Sequence, residues 1–456
     1  MSISKGKMKI GRRFILSGVL MLMTLLATMM VMTVTSFAAT SINVDGGTNK
    51  DLQELINKAE NGDRIFISDT ITVDKTVEVN KNITLTGSGT LIREDGFKGV
   101  MVYVGSNSEL IMEGITVDGN GVRYSEPAVY IDHGKFQMKS GTIKRNGNSG
   151  VYNYHGTFKM TGGNISKNKA SYGGGVYNNS GTFKMMGGTI SGNKASDGVV
   201  YNYYGTFEMT GGNISKNKAS YGGGIYNCYG GTFEMTGGTI SENTANYNGG
   251  GVYNKSTFKM TNGTISGNEA SKGGGVDNDY GTSEMMGGTI SGNKASSGGG
   301  VYNFYRTFKM RGGVITGNKA SNDGGGVDND YGTFEMIGGT ISENNSSNGG
   351  GVYNKHGTFE MINGTISSNK ASSNGGGIYN NDDFEMTGGI ISGNKATDGG
   401  GVYNYRGSNF KMTSGTISSN KASRNGGGIY NNSGKVKITD GSAVITGNSP
   451  KDKYGC

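Results

Sequence analysis

The sequence predicts an all-β fold: a single right-handed parallel β-helix of about fifteen coils, three short strands to a coil, with a short N-terminal capping helix. Two observations predict it. A Val or Ile followed by Tyr or Asp and then Asn recurs at Val151, Val176, Val200, Ile225, Val252, Val276, Val301, Val327, Val352, Ile378, Val402 and Ile429, at spacings of 24 to 27 residues. A fixed period in this range marks a repeat architecture. The second observation is composition: 86 of 456 residues are Gly, only 2 are Pro, and hydrophobic residues make up 33%. That is too little apolar mass for a spherical core of this size, but enough for a thin core running along a rod.

The elements follow in order. Residues 1–38 read as an export signal, with Lys5, Lys7, Lys9, Arg12 and Arg13 ahead of an apolar run and Ser36-Phe37-Ala38 as the cleavage site. Removing those five cations leaves 38 basic against 35 acidic residues, a formal +3 in place of +8. Nucleic acid is therefore not an expected partner, and the mature chain is expected to stay out of the membrane as a secreted or surface-displayed monomeric rod. Residues 39–100 hold the cap and the first coils. Thr48-Asn49-Lys50-Asp51 has the spacing of a capping box, and Leu52, Leu55, Ile56 and Ala59 make one helical stripe. Residues 101–449 are the repeats, and residues 450–456 a polar tail. Cys228 and Cys456 fall too many coils apart for a disulfide.

Within a unit, Val176-Tyr177-Asn178, Thr182-Phe183-Lys184-Met185 and Thr189-Ile190-Ser191 alternate with period 2, each too short for a helix. Winding them into coils stacks like on like. Phe158, Phe183 and Phe207 begin an aromatic ladder that Ser283 interrupts, with Met160, Met185 and Met209 beside it as flexible core filler. Asn168 and Asn193 on one turn, and Asn153 and Asn178 on another, begin two asparagine ladders.

The opening "DLQELINKAENGDRIFISDTITVDKTVEVNKNITLTGSGTLI" resembles the pectate-lyase-like superfamily of secreted right-handed β-helices. The Gly-Gly-apolar units, such as Gly174-Gly175-Val176, are similar to repeats of bacterial adhesin-like and polymorphic outer-membrane proteins. The Phe-x-x-Asn element of the latter is absent, since Phe183 is followed by Lys184-Met185-Met186. The resemblance implies a fold and an extracellular setting more than an activity.

Enzymes on this fold would concentrate carboxylates with a cation on adjacent coils. The least regular stretch runs from Asp118 to His155, where Asp118, Arg123, Asp132, His133 and His155 are the candidate catalytic residues of a polysaccharide lyase or glycoside hydrolase. His133 and His155 occupy one turn in consecutive coils, ~5 Å apart. Calcium is not expected as a cofactor: Asp277-Asn278-Asp279 and Asp328-Asn329-Asp330 stand two coils, ~10 Å, apart, and no metal site is predicted. The candidate ligand-binding residues are an outward phenol column, Tyr152, Tyr177, Tyr201, Tyr226, Tyr253, Tyr302, Tyr353, Tyr379, Tyr403 and Tyr430. Exposed aromatic rows dock sugars or protein surfaces. The leading expectation is thus a non-enzymatic, adhesin-like solenoid that binds glycan or protein through outward ladders. A lyase or hydrolase is the alternative, and a purely structural spacer the third.

Overall fold

In a computed structural model, which describes residues 41–44, 47–439 and 441–456, the chain winds into one parallel β-solenoid. The export signal lies outside the described residues. A strand Ser41–Val44 pairs in parallel with Arg64–Ile67, and helix α1, Asn49–Lys58, follows it. Asp51 closes the capping box by accepting from the Thr48 N–H and hydroxyl, each at 2.8 Å. Leu52, Ile56 and Ala59 are buried against the first coil. Lys81 fastens the other end, donating to the carbonyls of Asn57 and Ala59, where the helix dipole favours a cation.

One coil stands for the rest. Val176–Asn179, Thr182–Met185 and Thr189–Ser191 are its strands. Each residue pairs with its equivalent one coil away: Val151 with Val176, Phe158 with Phe183, Ile165 with Ile190. Sixteen third strands form one sheet, and the first and second strands form another. A one-residue slip would turn every Phe, Met and Ile outward, so the hydrophobic pattern locks the register.

The coil has one strand more than the sequence predicts. The segment after the third strand pairs with its neighbours too, first Lys218–Tyr221 with Thr244–Asn248, then six strands from Lys294–Ser297 to Lys421–Asn425. Three strands have already set the coil spacing there, so these amides meet partners without further ordering cost.

The bore is packed by ladders. Phe158, Phe183 and Phe207 stack at centroid distances of 4.8 and 4.6 Å. The asparagine ladders are hydrogen-bonded end to end: Asn178 Nδ2 donates to Asn202 Oδ1 at 2.7 Å, and Asn193 Nδ2 to Asn217 Oδ1 at 3.2 Å. Asn193 also donates to the Ile165 carbonyl at 2.8 Å, so each buried amide satisfies backbone groups that the turns leave unpaired. Gly188 shows why glycine recurs beside the methionines: its φ is +81°, and a Cβ there would lie 2.6 Å from Met160 Cε.

Candidate functional site

One irregular coil opens the wall of the rod. From Asn168 to Val176 the chain advances eight residues, and from Asn120 to Val129 nine, but from Asn146 to Val151 only five. The short loop, Gly147-Asn148-Ser149-Gly150, forms the floor of a notch between its two longer neighbours. The notch holds about 600 Å³, with Tyr124, Glu126 and Pro127 on one wall, Ser171 and Tyr172 on the other, and the rings of Tyr130, Tyr152 and Tyr177 behind. Tyr124 is 87% exposed and Tyr172 47%. The column changes geometry here: Tyr130 and Tyr152 stack with planes 19° apart, whereas Tyr152 and Tyr177 meet edge to face at 77°. Aromatic rings, a carboxylate and amides converging on a concave surface are the ingredients of a small-ligand or glycan subsite.

A buried guanidinium holds the wall in place. Arg93 is fully buried and donates to the Glu126 carbonyl at 3.1 Å, to Asn146 Oδ1 at 2.9 Å and to the carbonyls of Phe97 and Gly99. Asn146 Nδ2 donates in turn to the carbonyls of Glu126 and Ser149. Arg93 therefore ties the long loop to the short one. Burial pushes its pKa down to about 10, with Glu126 opposing the shift. Burial likewise raises the Tyr130 phenol to about 12, so it stays protonated and able to donate at neutral pH.

Of the five candidate catalytic residues, Asp132, His133 and His155 come together, while Asp118 and Arg123 stand apart from them. Asp118 is buried and accepts from Arg145 Nε at 2.8 Å and Nη2 at 2.5 Å, with the Asn120 N–H at 3.0 Å. Its carboxyl lies below the ordinary range: burial opposes the shift, and Arg145 and Asn120 outweigh it. Asp132 belongs to a different strand and sheet, where it accepts from Tyr103 Oη at 2.6 Å and pairs with His133 Nδ1 at 2.6 Å. The rings of His133 and His155 stack 5.1 Å apart. Ser108 and His133 line one small cleft, but the Ser108 hydroxyl is turned to the carbonyls of Val79 and Gly105. Arg123 lines a separate cleft beside the notch.

The phenol column is less open than the sequence implies. Tyr201, Tyr253, Tyr302, Tyr379 and Tyr403 are buried, while Tyr152, Tyr177, Tyr226, Tyr353 and Tyr430 are partly exposed. The glycine loops lie across the tyrosine stems: a Cβ on Gly249, whose φ is +65°, would come within 2.7 Å of Tyr253 Cβ. The open aromatic column stands at the next corner, where Tyr204, Tyr229, Tyr280, Tyr305 and Tyr331 are exposed and all have φ between +52° and +62°. Such backbone is costly for a bulky residue. Tyr280, Tyr305 and Tyr331 stack on one another at 5.0 and 5.3 Å, which turns their edges, not their faces, to solvent.

Asp277 and Asp328 take tyrosine positions in the covered column and are buried. The Asn248 amide is the group beside the Asp277 carboxyl, and neither carboxyl oxygen makes a hydrogen bond of ordinary geometry. Among the described residues no group of three or more His, Cys, Asp or Glu side chains is placed to hold a metal ion, and no helix is long and apolar enough to cross a membrane.

No family model, curated protein or solved structure matches the chain. The fold and the site therefore stand on their own geometry. Sequence reasoning missed the notch itself and the two exposed tyrosines on its walls, Tyr124 and Tyr172. The signal was present in the five-residue step from Asn146 to Val151.

Proposed function

We propose that this protein is an adhesin-like β-solenoid that binds a glycan, and that the notch at Tyr124, Tyr152, Tyr172 and Tyr177 is where it does so. The observation that carries the reading is the short loop from Asn146 to Val151, which leaves a notch in front of Tyr130, Tyr152 and Tyr177. Sugars present C–H faces to aromatic rings and hydroxyls to carboxylates and amides, and the notch offers both. An export signal and a likeness to secreted pectate-lyase-like and adhesin-like β-helices support display outside the cell. The notch lining contains one carboxylate, Glu126, whereas glycoside hydrolysis ordinarily uses a pair, so binding is favoured over cleavage.

The test is a glycan array and polysaccharide affinity electrophoresis of the exported chain, beside a degradation panel. Retention should fall by about tenfold or more, ~1.4 kcal/mol, in Tyr124→Ala/Tyr172→Ala, with the melting temperature unchanged because both side chains are exposed. Depolymerisation that disappears in Asp132→Asn or His133→Gln would replace this reading with the enzymatic one. Unaltered retention in the double variant would move the binding surface off the notch.

A further inference from the structure

Asn-Gly occurs nine times in the chain. In this pair the backbone nitrogen of the glycine can attack the asparagine side-chain amide, because no glycine side chain hinders the approach. The fold sorts the nine. In five of them the glycine N–H is donated to a backbone carbonyl: Gly62 to Asn82 at 2.7 Å, Gly121 to Arg145 at 2.8 Å, Gly249 to Lys272 at 2.9 Å, Gly349 to Asn374 and Gly375 to Asp398 at 3.0 Å each. In two more the asparagine amide is occupied. Asn146 donates to the carbonyls of Glu126 and Ser149, and Asn425 to Asp398 Oδ1 at 3.2 Å.

Asn262 and Asn363 differ from these seven. Both are exposed, at the corner between the second and third strands, where most repeats carry a Gly-Gly pair such as Gly187-Gly188. A Cβ on Gly287, one coil beyond Asn262, would lie 2.3 Å from the Thr261 carbonyl oxygen. An asparagine therefore cannot keep the glycine form of this turn. The φ of Gly263 and Gly364 opens to +101° and +102°, against +81° to +83° at Gly188, Gly212, Gly238 and Gly288. In the altered turn the Gly263 N–H donates to Asn262 Oδ1, and the Gly364 N–H to Asn363 Oδ1, both at 2.8 Å. Because Oδ1 is bonded to Cγ, this contact holds the glycine nitrogen beside the carbon it would attack. The same hydrogen bond polarises the side-chain carbonyl.

We propose that Asn262 and Asn363 are self-modification sites, which convert to aspartyl and isoaspartyl residues while the fold holds the other seven Asn-Gly pairs back. The Gly263 nitrogen loses its proton and bonds to Asn262 Cγ. The Cγ–Nδ2 bond breaks, and Nδ2 takes up a proton and leaves as ammonia. Water then opens the five-membered imide at one carbonyl to give aspartate, or at the other to give isoaspartate. One water is consumed for each ammonia released, and Gly364 does the same at Asn363. Each event places a carboxylate in a column of glycines, at two points four coils apart. The isoaspartyl form also adds a methylene to the backbone of the turn. Neither residue lines the notch, so the proposal is independent of the glycan reading.

The test incubates the full exported chain in mildly alkaline heavy-oxygen water, folded and in urea, followed by acidic digestion and peptide mass spectrometry. In the folded chain, peptides holding Asn262 or Asn363 should take up label at least about tenfold faster than those holding Asn248 or Asn348, whose glycine amides must first break a hydrogen bond. In urea the four should react at comparable rates. Isoelectric focusing of the folded chain should show two successive acidic steps, both missing from Asn262→Gln/Asn363→Gln. A folded chain that stays unlabelled at Asn262 and Asn363, or one that labels all four alike, overturns the proposal. A preference of the same size in urea also overturns it, because the choice would then lie in the local sequence and not in the fold.

Discussion

At the residue scale, the informative positions are those where one side chain departs from its ladder. Ser283 stands in the phenylalanine column, buried, with its hydroxyl donating to Asn278 Oδ1 at 2.8 Å. Beyond the gap Phe308 and Phe334 tilt by 47° and separate to 5.8 Å, whereas Phe334 and Phe359 lie at 9° and 5.0 Å. Ser283→Phe should restore two ring contacts and raise stability by about 1–2 kcal/mol, read as a higher urea midpoint. A lower midpoint would show that the bore has closed over the gap. Asp277 and Asp328 make the opposite departure, from phenol to carboxyl. Burial pushes both well above the ordinary carboxylate range, and Asp279 and Asp323 push the same way. A raised carboxyl means that the folded chain holds a proton which the unfolded chain has released. Stability from these groups is therefore full below about pH 4 and falls as pH climbs through the raised native pKa. Asp277→Tyr/Asp328→Tyr should flatten this alkaline loss in melts run across pH. A parent melting temperature that does not fall with rising pH would contradict it.

At the scale of elements, the asparagine turns carry the coil-to-coil connection. Asn268 accepts from the Asn243 N–H at 2.9 Å and Nδ2 at 3.0 Å, and donates to the Ile240 carbonyl at 3.0 Å. Asn268→Ala leaves several buried groups without partners, so the expected cost is about 3 kcal/mol. At Asn448, in the last coil, Asp452 Oδ1 takes the next asparagine's place and accepts from its N–H and Nδ2, so the same change there should cost less only to the extent that Asn448 is less buried. No cost at either position in chemical denaturation would argue that the ladder is not what couples the coils. Exposed ion pairs such as Glu385–Lys411, at 2.6 Å, add little beside this. The strands, their inward residues and both ladders were legible in the sequence, because period-2 alternation and a 25-residue repeat are visible without any contact information. The fourth strand was not. Lys-Ala-Ser-x has no alternating apolar pattern, and it becomes a strand only because its neighbours are already in register.

At the scale of the whole molecule, a solenoid is open at both ends, and the first coil is closed by α1. Leu52, fully buried under that helix, is the point of attachment. Leu52→Asp should undock the cap, expose an apolar bore and a row of unpaired strand edges, and drive association, seen as a rise in light scattering with concentration. A variant that stays monodisperse would mean that the first coil needs no cover. The same edge-to-edge regularity makes every outward column a line of identical groups one coil apart. Columns of this kind suit extended ligands better than compact ones.

The sequence alone determined the all-β solenoid, the residues that fill its bore and the amides that tie its turns. These follow from periodicity, and periodicity is a local property of the chain. The tertiary structure decided which outward residues are open. Tyr177 and Tyr253 hold the same place in their repeats, yet one borders a 600 Å³ notch and the other is buried. Glycine backbone lies across both tyrosine stems alike, at Gly173 and at Gly249, so the difference follows the length of the loops in adjacent coils. Only the folded arrangement brings those segments, some 25 residues apart in the chain, into contact.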